Sequence, residues 1–181
     1  LFTKGEEPTL WNDCIDNFDV KSFARSMHEI NPGYVMFTIT QGNQFFCAPN
    51  KAFDEISGYK TGEACSKRDL IMELCDELKK YDIDFMAYFT ANGPYNDNQA
   101  REKFGYYREK QDVHTDFIMK WSEVIKEYSL RYGDKIKGWW FDGCQQTLGY
   151  NDEKMKYIAD AARAGNPDTL IALNQGPSII D

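Results

Sequence analysis

Tyr34-Val35-Met36-Phe37-Thr38-Ile39-Thr40 is a β-branched and aromatic run with little polar alternation. A near-continuous apolar strand of this kind suits a sheet covered on both faces, as parallel sheets are. Upstream, Val20, Phe23, Ala24, Met27 and Ile30 recur at helical spacing over 19–31, and Asn31-Pro32-Gly33 ends that helix. Downstream lies a long connection, 41–65. Ser66 and Asp69 then have capping-box spacing, and Leu70, Ile71, Leu74, Cys75 and Leu78 mark a second helix.

The same alternation repeats along the chain. A strand is predicted from Ile83 to Phe89, followed by a polar loop from Ala91 to about Asp112. Phe117, Trp121, Val124 and Tyr128 mark a longer helix that stops near Arg131-Tyr132-Gly133. A third strand, Ile136 to Phe141, runs into Asp142-Gly143-Cys144. The helix from Asp152 to Ala164 ends at Gly165-Asn166-Pro167, and the fourth strand is Thr169 to Leu173. Strand–helix alternation means a parallel sheet with crossover helices. A doubly wound open sheet and a (β/α)8 barrel both fit. No GxGxxG or P-loop follows the first strand, so nucleotide-type Rossmann readings lose support. The long polar segments follow the strands, as the active-site face of a barrel requires. The expected fold is therefore α/β, a segment of a TIM-type (β/α)8 barrel with parallel strands, over 1–181 as one partial domain.

Composition narrows the partners. Twenty-one Lys and Arg against 29 Asp and Glu give a net charge of −8 over 181 residues. No basic footprint for nucleic acid is present, and no apolar run is long enough for a membrane span. Aromatic residues make up 15% of the chain, suited to a core and to stacking on sugars or other neutral ligands. Of the five cysteines, Cys14, Cys47, Cys65, Cys75 and Cys144, none lies in a CxxC motif. With only His28 and His114 besides, no metal site is expected. Cys75 falls in a helical apolar series and should be packed, whereas Cys47 and Cys65 share one irregular stretch and can pair in an oxidising compartment. The chain opens at Leu1 and closes on the apolar run Pro177-Ser178-Ile179-Ile180-Asp181, which suggests a segment of something longer.

Every predicted strand exit carries polar groups: Gln41, Asn43 and Gln44, then Asn92 and Asn98, then Asp142, then Asn174 and Gln175. In a parallel α/β fold these converge on one rim. Amides donate and accept hydrogen bonds and suit hydroxyl-rich ligands, although loop amides also cap helices and turns. Asp142 differs from the rest because it follows Trp139-Trp140-Phe141 at a strand end. Large rings exclude water from a carboxylate, which makes it a candidate nucleophile or acid, or else a capping or paired aspartate.

Lys137-Gly138-Trp139-Trp140-Phe141-Asp142-Gly143 resembles the nucleophile strand of α-L-fucosidases of glycoside hydrolase family 29, where a Trp-Phe-Asp-Gly run ends the fourth barrel strand. The resemblance extends in order through Phe18-Asp19-Val20, Gly33 to Thr38, Arg68-Asp69-Leu70-Ile71, Phe85-Met86-Ala87-Tyr88 and Asn166-Pro167-Asp168 to Asn174. It covers strands two to five of eight. It implies a retaining glycosidase with Asp142 as nucleophile, a glycan or glycoside as substrate, no cofactor, and the remainder of the barrel as the structural partner. The family's acid/base carboxylate comes from a later part of the barrel, which places it beyond Asp181. Glu63, Asp97 and Asp152 lie near the rim but in no recognisable motif. The family's Lys-His-His-Asp-Gly after its second strand reads Thr40-Gln41-Gly42-Asn43-Gln44 here, without histidine.

The expected sugar contacts are Gln41, Asn43, Phe45, Asn92, Trp139, Trp140 and Asn174, with Phe46 as an alternative stacking ring. Two other readings stand beside the hydrolase. One is a carbohydrate-binding barrel without catalysis, holding glycan on Gln41, Asn43, Trp139 and Trp140. The other is a flavodoxin-like interaction domain with an open five-stranded sheet. The substrate class favours a secreted or periplasmic location.

Overall fold

A computed structural model describes residues 10–43, 45–107, 110 and 113–176. Gln44, Asp112, Leu1 and the Pro177–Asp181 run lie outside the described residues. Among the described residues four strands form one parallel sheet: β1 (Tyr34–Thr40), β2 (Asp84–Thr90), β3 (Ile136–Asp142) and β4 (Leu170–Asn174). Their spatial order is β1-β2-β3-β4, the order of the sequence. A doubly wound sheet reverses direction part-way and carries helices on both faces. Consecutive order, with the right-handed crossovers that parallel strands adopt, instead places every helix on one face, as in a barrel. The barrel segment is therefore what the chain forms, and the flavodoxin-like sheet is not.

The strand residues sort accordingly. Val35, Ile39, Phe85, Ala87, Phe89, Trp139 and Phe141 point to the helices and are buried. On the other face the register lines up Thr38, Tyr88, Trp140 and Ala172 across all four strands, with Thr90, Asp142 and Asn174 in the row above. No described helix covers this face, and Tyr34, Met36 and Leu170 stand exposed on it.

The helices are α1 (Trp11–Asp16), α2 (Val20–Ile30), α3 (Lys51–Ser57), α4 (Leu70–Lys79), α5 (Asn98–Phe104), α6 (Thr115–Tyr132) and α7 (Asp152–Arg163). α2 ends on Asn31 in the left-handed region (φ 56°), whose N–H donates to the carbonyls of Met27 and His28. α6 supplies the centre of the core: Trp121 is fully buried against Phe46, Phe53, Phe89 and Phe104, and its Nε1 donates to the Thr90 carbonyl at 2.9 Å. α7 packs on α6 through Gly165, where a Cβ would lie 1.9 Å from the Ser129 carbonyl oxygen. Only glycine permits that approach.

Three sequence expectations need correction. The connections 41–65 and 91–112 are not irregular throughout, because they contain α3 and α5. Ser66 does not cap α4; Asp69 does, accepting from the Met72 N–H at 2.9 Å, while Ser66 donates to the Arg68 carbonyl. Cys47 and Cys65 do not pair, and all five cysteines are free thiols. A parallel bridge sets Phe46 beside Cys65, which turns the neighbouring Cys47 away; the two thiols meet the carbonyls of Thr38 and Asn50 respectively. Cys75 is packed as expected.

α3 also carries a buried carboxyl outside the sheet. Asp54 is 8% exposed, and its Oδ1 has no hydrogen-bond partner. Burial pushes its pKa up to about 6, with the charges of Glu127 and Glu63 adding to the rise and a Cys65 hydrogen bond opposing it. The folded state thus holds this proton more tightly than the unfolded chain, whose value is near 3.8. Stability carried by that proton is present at low pH and is lost as pH rises through about 6. The loss runs from about 3.8 to about 6, so Asp54→Asn should raise the thermal midpoint clearly at pH 8 and by much less at about pH 4. An equal rise at both values would contradict this linkage.

Candidate active site

Asp142 closes β3 on the open face of the sheet and is half-buried. Both carboxylate oxygens are engaged. Tyr88 Oη donates to Oδ2 at 2.6 Å, and Asn174 Nδ2 donates to Oδ1 at 2.7 Å. The donors come from the two flanking strands. Asn174 is the direct Cα partner of Asp142, and Tyr88 lies two residues before Thr90, its partner on β2. Parallel register and the two-residue side-chain period together place one side chain from each flanking strand on the carboxylate.

Asn174 is fixed at its other end, since its Oδ1 accepts the Gly176 N–H at 3.0 Å. The Gln41 side chain stands beside the Tyr88 hydroxyl, where it opposes the rise of the phenol's pKa. Burial, followed by the hydrogen bond to Asp142, holds the Tyr88 phenol well above its ordinary pKa, so it remains a proton donor to the carboxylate. Trp140 sits beside Tyr88 in the row below Asp142 and is half-buried on the same face. Gln41, Tyr88, Trp140, Asp142 and Asn174 thus form one constellation.

The other expected contacts lie elsewhere. Trp139 is 1% exposed and stacks on Phe141 with the rings 5.7 Å apart on the helix-covered face. A strand alternates its side chains, so Trp139 and Asp142 point to opposite sides, and Trp139 belongs to the core. Asn92 is buried, its side chain pressed against Gly143. It supports the turn after β3 and is not displayed on the rim. Asn43 and Phe45 line a groove of about 440 Å³ along the free edge of β1, together with Trp11 and Gln41. Phe45 is 43% exposed and meets Trp11 with ring centroids 5.6 Å apart, whereas Phe46 is wholly buried. Asn98 is the exposed first residue of α5.

Of the further carboxylates, Asp97 is committed to capping α5 and to the Tyr59 hydroxyl. Glu63 accepts from the Lys60 N–H, and Asp152 is exposed on the first turn of α7. Among the described residues none of these bonds to the Asp142 constellation. Sequence reasoning missed Tyr88 as a site residue. Strand parity carries the signal, because Tyr88, Thr90 and Asp142 share one face once the strands are aligned.

Comparison with known proteins bears on the family and the fold. The family model described as Alpha-L-fucosidase matches residues 11–175. Among solved structures, the endo-fucoidan hydrolase MfFcnA4 of glycoside hydrolase family 107 is similar with a TM-score of 0.68 and 19% identity, over 91% of this chain and 31% of that one. An α-L-fucosidase GH29 from Bacteroides thetaiotaomicron has a TM-score of 0.63 at 22% identity, over 89% of this chain and 36% of that one. A fucosyltransferase mutant of the α-L-fucosidase AlfC has a TM-score of 0.61 at 22% identity, over 86% and 51%. The chain spans between about a third and a half of these solved chains. At such identities the likeness shows a shared fold. No curated protein sequence matches. No described helix is long and apolar enough to cross a membrane.

Proposed function

The chain belongs to the α-L-fucosidase family, and from that premise we propose that Asp142 is the nucleophile of a retaining glycoside hydrolase acting on a glycan or glycoside. The observation that carries this reading is the carboxylate at the exit of β3, held at both oxygens by Tyr88 and Asn174. Each carboxylate oxygen has room for two hydrogen bonds, so one donor apiece leaves a lone pair free for attack. In the first step a carboxylate oxygen bonds to the anomeric carbon, the glycosidic C–O bond breaks, and an acid delivers its proton to the departing oxygen. In the second step that group takes a proton from water, the water oxygen bonds to the anomeric carbon, and the Asp142 carboxylate departs. Donors on Asp142 fix its rotamer for the first step and stabilise the departing carboxylate in the second.

The acid/base must stand about 5–5.5 Å from the nucleophile. It belongs to a part of the full-length protein outside these residues, together with the strands that cover the open face. The 1–181 stretch is then one partial catalytic domain.

The stereochemistry of the product tests the mechanism. Proton NMR of the first-formed sugar from the full-length protein should show the anomeric configuration of the substrate, and inversion would overturn the assignment. Tyr88 is a positioning residue in this scheme. Tyr88→Phe keeps the ring but removes a hydrogen bond to a charged group, an interaction of about 1.5–3 kcal/mol. Its kcat should fall about tenfold to a hundredfold with KM little changed. A variant with full kcat would show that the hydrogen bond does not serve the reaction.

A further inference from the structure

Tyr95 lies on the loop between β2 and α5, a segment that the reaction scheme above does not use. The phenol end of its ring covers Gly42, in the loop after β1. A Cβ at Gly42 would come 2.6 Å from Cζ, 2.7 Å from Cε1 and 2.9 Å from Oη of Tyr95. Gly42 is buried with φ +68°, and its carbonyl accepts the Asn96 N–H at 2.8 Å. Two rim loops are therefore stitched together one residue from Gln41, whose side chain stands beside the Tyr88 hydroxyl. Tyr88 in turn donates to Asp142. Any side chain at position 42 would occupy the volume that the ring fills. Gly42 and Tyr95 thus act as one device, with the side chain for this corner of the rim supplied by the neighbouring loop.

We propose that Tyr95 is a specificity-determining residue of the glycosidase site, its phenol hydroxyl reading a hydroxyl group of the sugar held over Asp142. A phenol both donates and accepts, so it discriminates between epimers that offer or withhold a hydroxyl at that corner. The inference rests on the glycoside hydrolase reading above.

The test uses the full-length protein, with Tyr95→Phe and Tyr95→Ala, on a panel of 4-nitrophenyl glycosides comprising the α-L-fucoside and its hydroxyl epimers. It reads kcat/KM for each glycoside, binding of the free monosaccharides, and the thermal midpoint. Tyr95→Phe should lower kcat/KM on the preferred glycoside about tenfold and leave the next-best within about twofold, which shrinks the selectivity ratio. Tyr95→Ala should shrink it further; if it fails to fold, the near-isosteric Phe variant decides alone. A ratio unchanged in the folded variants, including an equal loss on every glycoside, overturns this inference and leaves the hydrolase reading intact. A wild type that neither binds nor cleaves any member overturns both.

Discussion

Asp142→Asn in the full-length protein is expected to lower kcat on an aryl glycoside by at least about 10⁴, the scale seen when a catalytic nucleophile is removed. Binding of the sugar should persist. The amide is nearly isosteric with the carboxylate and can still accept from Tyr88 or Asn174, so the rim keeps its shape. It cannot form the covalent intermediate, because an amide oxygen is a far weaker nucleophile than a carboxylate. The variant is assayed with a good leaving group, and its binding is followed by calorimetry with the free sugar. Turnover within about tenfold of wild type would remove Asp142 from the mechanism. Loss of binding together with turnover would assign it to substrate recognition.

The second large effect concerns the residue after the nucleophile. Gly143 has φ +91°, and a Cβ there would lie 2.1 Å from Asn92 Nδ2 and 2.7 Å from Asn92 Cγ. Asn92 is buried, so its side chain has little room to retreat. Gly143→Ala combines overpacking with left-handed backbone strain and should cost about 2–4 kcal/mol in urea unfolding. The distortion reaches the site directly. On one side Ala91 N–H donates to the Asp142 carbonyl at 2.7 Å, and on the other Cys144 N–H donates to the Asn174 carbonyl at 2.8 Å. Activity should fall with stability. Truncating Asn92 to alanine in the same chain should recover the packing part of the loss, a coupling that a double-mutant cycle measures. A Gly143→Ala variant as stable as wild type would show that the turn relaxes freely.

The strands and long helices were legible because each carries a signal that does not depend on its neighbours. β1 through β4 are short apolar runs, and α2, α4, α6 and α7 show apolar residues at helical spacing. The short helices were harder. α3 buries Phe53 and α5 buries Ala100 and Phe104, too few apolar positions to reveal a period in seven residues. Their ends were readable in hindsight. Asn50 and Asp97 cap the first turns, and Gly58 and Gly105 follow the last ones in the left-handed region.

Within the site, the strand-end rule locates Asp142 and Asn174 on one rim, but nearness to a strand end does not select a face; strand parity does. Trp139 and Trp140 are both near the end of β3, yet the two point to opposite sides of the sheet. Tyr88 and Tyr95 needed the third dimension. Tyr88 reaches Asp142 only because β2 and β3 pair in the observed register, and Tyr95 meets Gly42 only because two loops close on each other. Neither contact has a local sequence signature.

The central claim is that the Asp142 carboxylate becomes covalently bound to the sugar. Incubating the full-length protein with an activated 2-deoxy-2-fluoro glycoside, which slows the second step more than its good leaving group slows the first, should accumulate that species. Mass spectrometry of the proteolysed protein is then expected to find one added glycosyl group, on the peptide that contains Trp140-Phe141-Asp142-Gly143, with the mass carried by Asp142. Stoichiometric labelling of a different carboxylate, or steady turnover of an activated substrate with no label at Asp142, would contradict it.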